Sequence, residues 1–102
     1  PDGKARVTGR CGDTMEICLQ FEDDRVVEST CWTNGCTSSL NCVVAAADLA
    51  KGKTPQALLD IDADAIQEAI GGLPEESMHC AELAAETLHS AVDDYMKRSI
   101  AG

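Results

Sequence analysis

Across Thr33-Asn34-Gly35-Cys36-Thr37-Ser38-Ser39 the chain changes its period, and that change limits the folds open to it. Upstream, Met15, Ile17, Leu19 and Phe21 alternate with Glu16, Cys18 and Gln20, and Val26 to Thr33 reads as a return strand. Downstream, Leu40, Val43, Val44 and Ala47 recur at helical spacing. A strand alternates its faces residue by residue, whereas a helix returns to one face every three or four residues. Strands therefore end here and helices begin. Strands followed by helices predict an α+β domain, a three-stranded antiparallel sheet (a meander) with helices packed on one face. Cys36 falls on the junction, after a glycine able to take a backbone angle other residues resist. A thiol at a helix start feels the positive end of the dipole and several unpaired amides, which lowers its pKa. Such a thiolate is a nucleophile or a metal ligand. The competing reading is a small buried hydrophobe.

The remaining elements follow from local chemistry. Ala5, Val7 and Gly9 alternate with Arg6, Thr8 and Arg10, which predicts a short, polar edge strand. Cys11-Gly12-Asp13 interrupts it, with Cys11 and Asp13 able to face one site. Glu22-Asp23-Asp24-Arg25 is a hairpin turn. The return strand is ambiguous, with Val27 and Cys31 on one face and Val26 and Trp32 on the other. A helix is predicted from Ser38 to Lys51, stopped by Gly52, and a short one opens at Thr54-Pro55. A third is capped by Asp62 or Asp64, carries Ile66 and Ile70, and ends at Gly71-Gly72. Leu73-Pro74-Glu75-Glu76 reads as a loop, and Ser77 as the cap of a last helix reaching Arg98. On that helix Cys80, Ala84, Leu88, Ala91 and Tyr95 form one stripe, and Glu82, Glu86 and Asp93 another.

With 102 residues the chain is read as one domain, and aromatic content of 3% implies a core of aliphatics and alanine. The net charge of −10 argues against nucleic acid and against an anionic membrane surface, both of which select basic patches. From Asp60 onward only Lys97 and Arg98 oppose the acidic residues, a pattern read as a solvated helical face. There is no secretory signal and no long apolar run, so the thiols are read as reduced and the protein as cytoplasmic. A disulfide framework is the alternative for six cysteines. The sequence starts at Pro1, without methionine, as if an N-terminal piece had been removed.

Cys11, Cys36 and Cys80 each sit at a turn or element boundary, and two have a further donor beside them, Asp13 and His79. Cys18, Cys31 and Cys42 lie inside elements and read as packing. Three boundary thiols with a carboxylate and an imidazole suit soft-metal chemistry, although no Cys-x-x-Cys pair is present. His89 reads as a solvent-facing helix histidine, Lys51 and Lys53 as complements to a helix C-terminus, and Trp32 as a cover for the site or as packing.

Cys11-Gly12-Asp13, then Gly35-Cys36 with Ser38, then His79-Cys80 resembles the signature of the IscU/NifU-type iron–sulfur cluster assembly scaffolds. Ala50-Lys51-Gly52-Lys53-Thr54 resembles that family's Lys-Gly-Lys turn, and the likeness runs in order along the whole chain. The resemblance implies a scaffold without turnover of its own. A cysteine desulfurase would deliver sulfur, iron would join it, and a transient 2Fe–2S cluster would pass to apo iron–sulfur proteins. By resemblance Cys11, Cys36 and Cys80 are ligands and sulfur acceptors. Asp13 and His79 are candidates for the remaining coordination, with Asp13 keeping the cluster labile. Zinc is possible at the same site. The alternative is a zinc-bearing sulfur acceptor, sulfurtransferase-like, that activates a desulfurase. Three departures stand out. By the resemblance the sequence begins about where the family's N-terminal helical segment ends, so that segment is expected to be missing before the first strand. Leu73-Pro74-Glu75-Glu76-Ser77 stands where members served by a DnaK-type chaperone carry Leu-Pro-Pro-Val-Lys, so that partner is not carried over. Cys42 is extra to the family set and reads as core, or as a reserve sulfur acceptor.

Overall fold

A computed structural model of the chain describes residues 2–10, 12–72 and 75–101. Three strands come first: β1 (Gly3–Thr8), β2 (Thr14–Glu22) and β3 (Arg25–Thr33). Four helices follow: α1 (Thr37–Ala50), α2 (Pro55–Leu59), α3 (Ala63–Ala69) and α4 (Met78–Ala101), with a 3-10 turn at Glu75–Ser77. The sheet order is β1-β2-β3 with both pairs antiparallel, so the meander is present, β1 is an edge, and the domain is α+β. β1 lies two residues upstream of its predicted position. Gly9 N–H donates to Asp13 O at 2.8 Å and Gly12 N–H to Gly9 O at 3.1 Å, which turns the chain directly after Thr8.

The ambiguous faces of β3 have a local cause. Gln20 pairs with Glu28 but Phe21 with Val26, so Val27 is an extra residue and the strand changes parity there. Val26 consequently faces the core at 2% exposure while Val27 is 53% exposed. The Lys51-Gly52-Lys53 turn docks on the same spot. Gly52 N–H donates to Val26 O at 2.8 Å, Val26 N–H to Lys53 O at 3.0 Å, and Gly52 supplies the positive φ of 80°. The role of this turn is thus carried by backbone, anchoring the end of α1 to the start of β3.

The core forms between one sheet face and the helices. Met15, Ile17 and Leu19 of β2 meet Cys42, Val43 and Ala46 of α1 and Ala84, Leu88 and Val92 of α4, all buried. Alanine keeps the helix backbones close to the strands. A Cβ on Gly3 would stand 2.5 Å from Ala91 O, so α4 rests directly on β1. Phe21 and Tyr95 stack with centroids 3.7 Å apart, and Tyr95 Oη donates to Asp24 Oδ1 across the hairpin turn. Glu82, Glu86 and Asp93 point outward, as their stripe predicts.

Thr54 caps α2 and Asp62, rather than Asp64, caps α3. Ser77 stands just before α4, and its hydroxyl donates to Ser38 Oγ at 3.4 Å, linking the starts of α4 and α1. Leu73 and Pro74 lie outside the described residues; Glu75 and Glu76 belong to the 3-10 turn, not to an irregular loop. His89 departs from its expected solvent-facing role. Its Nε2 is 2.7 Å from Ile61 O, fastening α4 to the segment between α2 and α3. Among the described residues no helix is long and apolar enough to cross a membrane, and none of the described cysteines is in a disulfide.

Candidate metal centre

At one end of the sheet the start of β2, the end of β3 and the first turns of α1 and α4 meet. Hydrogen bonds between the two strand ends fix this corner. Thr14 N–H donates to Asn34 Oδ1 at 2.8 Å, Asn34 N–H to Thr14 O at 3.3 Å, and Thr33 Oγ1 to Thr14 O at 2.7 Å. They set Asp13, just before β2, against Gly35, just after β3.

Asp13, His79 and Cys80 each offer a ligand atom there, and the three atoms lie within 4.8 Å of one another. His79 and Cys80 are neighbours in the first turn of α4, with Nε2 3.6 Å from Sγ. The donors span oxygen, nitrogen and sulfur, a set that suits iron or zinc better than magnesium or calcium. Cys80 is buried and His79 exposed, so the group runs from the core to the surface. A cleft of about 500 Å³ opens beside Asp13 and His79, with Arg10, Glu82 and Glu86 on its walls.

Cys36 is the N-cap residue of α1 and is exposed. Its sulfur closes no full cap hydrogen bond. The Ser39 amide first, then the Ser38 amide, still hold its pKa below the ordinary thiol value. Burial and the Asp13 charge oppose this without overcoming it. The thiol at the helix start is therefore biased towards thiolate, as its position predicts. Ser39 Oγ lies 4.0 Å from Cys36 Sγ and 3.5 Å from Cys80 Sγ, so the two sulfurs are no farther apart than the sum of those distances. The structure thus brings Asp13, Cys36, His79 and Cys80 to one place. Cys11 lies outside the described residues.

Gly35 serves a different purpose from the one expected. It is not among the glycines with positive φ. A Cβ there would meet Ser39 Oγ at 2.6 Å and Asp13 Oδ2 at 2.9 Å, so what matters is its lack of a side chain. Ser39 and Asn34 are the site residues that sequence reasoning passed over. The available signal was spacing, since Ser39 is one helical turn beyond Cys36 and shares its face.

The other described thiols have different surroundings. Cys42 is fully buried, and burial, then the proximity of Cys80 and Cys36, pushes its pKa up to about 11. Cys31 is raised by burial and then by Asp48. Cys18 is on the open sheet face, with Sγ 3.7 Å from Glu16 Oε1. Trp32 lies on that face too, under the Arg6 guanidinium at 5.2 Å, and so does not cover the site.

A family model described as the NifU-like N terminal domain matches residues 3–101. Iron-sulfur cluster assembly scaffold protein IscU 1 of Archaeoglobus fulgidus is 40% identical over 89 residues, which are 87% of this chain and 58% of that protein. The corresponding IscU of Aquifex aeolicus is 34% identical over 90 residues, 86% of this chain and 57% of that protein. Nitrogen fixation protein NifU of Nostoc sp. is 36% identical over 87 residues, 83% of this chain and 29% of that protein. The chain thus spans less than two thirds of the length of these curated relatives. Its fold is similar to the crystal structure of a nitrogen-fixing NifU-like protein (N-terminal) from Brucella abortus, with a TM-score of 0.69 at 18% identity, covering 96% of this chain and 81% of the other.

Proposed function

The chain belongs to the NifU-like N-terminal domain family, and from that membership we propose that it is a scaffold on which a transient 2Fe–2S cluster is assembled and then passed to apo iron–sulfur proteins. The observation that supports this reading best is the convergence of Asp13, His79 and Cys80 with the activated Cys36 thiol at one corner of the sheet. Cys36 is the sulfur acceptor. Its thiolate attacks the outer sulfur of a persulfide carried by a cysteine desulfurase, forming a persulfide on Cys36 and releasing the donor's thiolate. Cys36 and Cys80, with Cys11, hold iron through sulfur, and Asp13 and His79 complete the set. Stable clusters are usually held by four thiolates. A harder oxygen or nitrogen donor in place of one thiolate favours release, which suits a cargo that must leave.

Anaerobic reconstitution with ferrous iron and sulfide tests the reading. A brown protein with visible charge-transfer absorption is the expected product. Cys36→Ser should fail to hold the cluster, because a hydroxyl is a poor ligand for soft metals, while Cys18→Ser should assemble it nearly as well as the unchanged chain. Stoichiometric zinc with no colour would support a zinc-bearing sulfur acceptor instead. Equal loss in both variants would remove the division between ligand and packing thiols.

A further inference from the structure

Two polar side chains are fully buried among the described residues, Ser39 and Thr87. Thr87 satisfies its hydroxyl within its own helix, donating to Leu83 O at 2.8 Å. Ser39 does not. A serine in the first turn of a helix ordinarily bonds to a nearby backbone group, yet Ser39 Oγ donates across the fold to Asp13 Oδ2 at 2.8 Å. A hydroxyl has one proton and an ionised carboxylate only accepts, so that proton is committed to Asp13. The sulfurs of Cys80 and Cys36, at 3.5 Å and 4.0 Å, then receive no proton from it. Gly35 makes room for the arrangement. A Cβ there would overlap both Ser39 Oγ and Asp13 Oδ2, so the two groups meet in space that a side chain at this position would fill.

From this geometry we infer that Ser39 is the positioning residue of the metal centre, holding the Asp13 carboxylate by Oδ2 so that Asp13 offers a metal one oxygen beside His79 and Cys80. The inference rests on the metal-binding reading above and adds to it. A carboxylate held at one oxygen is a single, directed donor. Released from Ser39, it would be free to rotate, to chelate through both oxygens or to swing into the neighbouring cleft. Hydrogen bonds to metal ligands of this kind fix ligand orientation and commonly change metal affinity by about ten- to a hundredfold.

Cobalt(II) titration of the purified chain under anaerobic, reducing conditions tests the assignment, because ligand-field bands report the donor set directly. The unchanged chain, Ser39→Ala, Asp13→Ala and the double variant would be compared, each with a thermal melt of the metal-free protein. The expected result is a loss of about tenfold in cobalt affinity for Ser39→Ala, with little change in melting temperature. Its ligand-field envelope should move away from that of the unchanged chain, and the double variant should bind no more weakly than Asp13→Ala alone, since one residue acts through the other. Independent, multiplying losses would overturn the role of Ser39 while leaving the metal site standing. So would a Ser39→Ala spectrum unchanged from that of the parent, or an affinity loss that follows a lowered melting temperature. No cobalt uptake by the unchanged chain would overturn the metal reading itself, and this inference with it.

Discussion

Two thiols on one helix are pushed in opposite directions, and the contrast is set by residue-scale surroundings. Cys36 at the open end of α1 is held below the ordinary thiol value of 9.0, chiefly by the Ser39 amide. Cys42, buried further along, is pushed to about 11 by loss of solvent. Alkylation with iodoacetamide at about pH 8 should therefore label Cys36 first and Cys42 last, because only thiolate reacts. Peptide mapping by mass spectrometry reads the order, and equal rates at the two positions would contradict it. The two shifts also couple to stability with opposite signs. The lowered Cys36 contributes stability that is present above the ordinary thiol pKa and lost as pH falls through its folded value. The raised Cys42 folds as a protonated thiol, so its contribution is lost as pH climbs from 9.0 toward about 11.

At the scale of elements, the β2–β3 hairpin departs from the residues its geometry prefers. Asp23 and Asp24 have φ of 53° and 63°, both left-handed, which is the pattern of a type I′ turn where Asn-Gly is favoured. Asp23→Gly should relieve part of this strain and stabilise the fold by about 0.5 kcal/mol, net of the extra freedom glycine gives the unfolded chain. Asp24→Gly should stabilise less, since it also removes the acceptor for Tyr95 Oη. Urea unfolding of the two variants checks the order, and a loss of stability in Asp23→Gly would refute the strain argument. The hairpin was legible as a turn from its run of polar residues. The bulge at Val27 was not, because alternation around Val26 and Val27 fits either face until Phe21 and Gln20 choose their partners.

Over the whole molecule, α4 is the organising body: it packs against β1, β2, α1, α2 and α3 and brings His79 and Cys80 to the candidate metal centre. Its fit depends on small residues. Gly3→Ala would drive a methyl to 2.5 Å from Ala91 O and 3.0 Å from Tyr95 Cβ, so α4 must move off the edge strand. Overpacking of this kind costs about 1–3 kcal/mol. A lowered melting temperature for Gly3→Ala is the expected outcome; an unchanged one would show that α4 slides without penalty. The outward stripe of Glu82, Glu86 and Asp93 keeps these three charges on the solvent side of this helix, clear of its packed face.

What the residues determined alone is what depends on near neighbours. The strand-to-helix switch, the opening of α2 at Thr54-Pro55, the edge strand and the activated thiol at Cys36 all arise within a few residues, where spacing and backbone chemistry act directly. Tertiary structure decided whatever needs a partner from a distant segment. Gly35 is required by Asp13 and Ser39 rather than by its own φ, and His89 serves the carbonyl of Ile61 rather than solvent. Trp32 joins Arg6 on the open sheet face and does not cover the candidate metal centre. In each case the side chain has several acceptable local fates, and only the packing of α1 and α4 on the sheet selects one. Ser39 shows the division most clearly. Its place in the first turn of α1 follows from sequence, whereas its bond to Asp13 exists only because the hydrogen-bonded strand ends bring residue 13 to that turn.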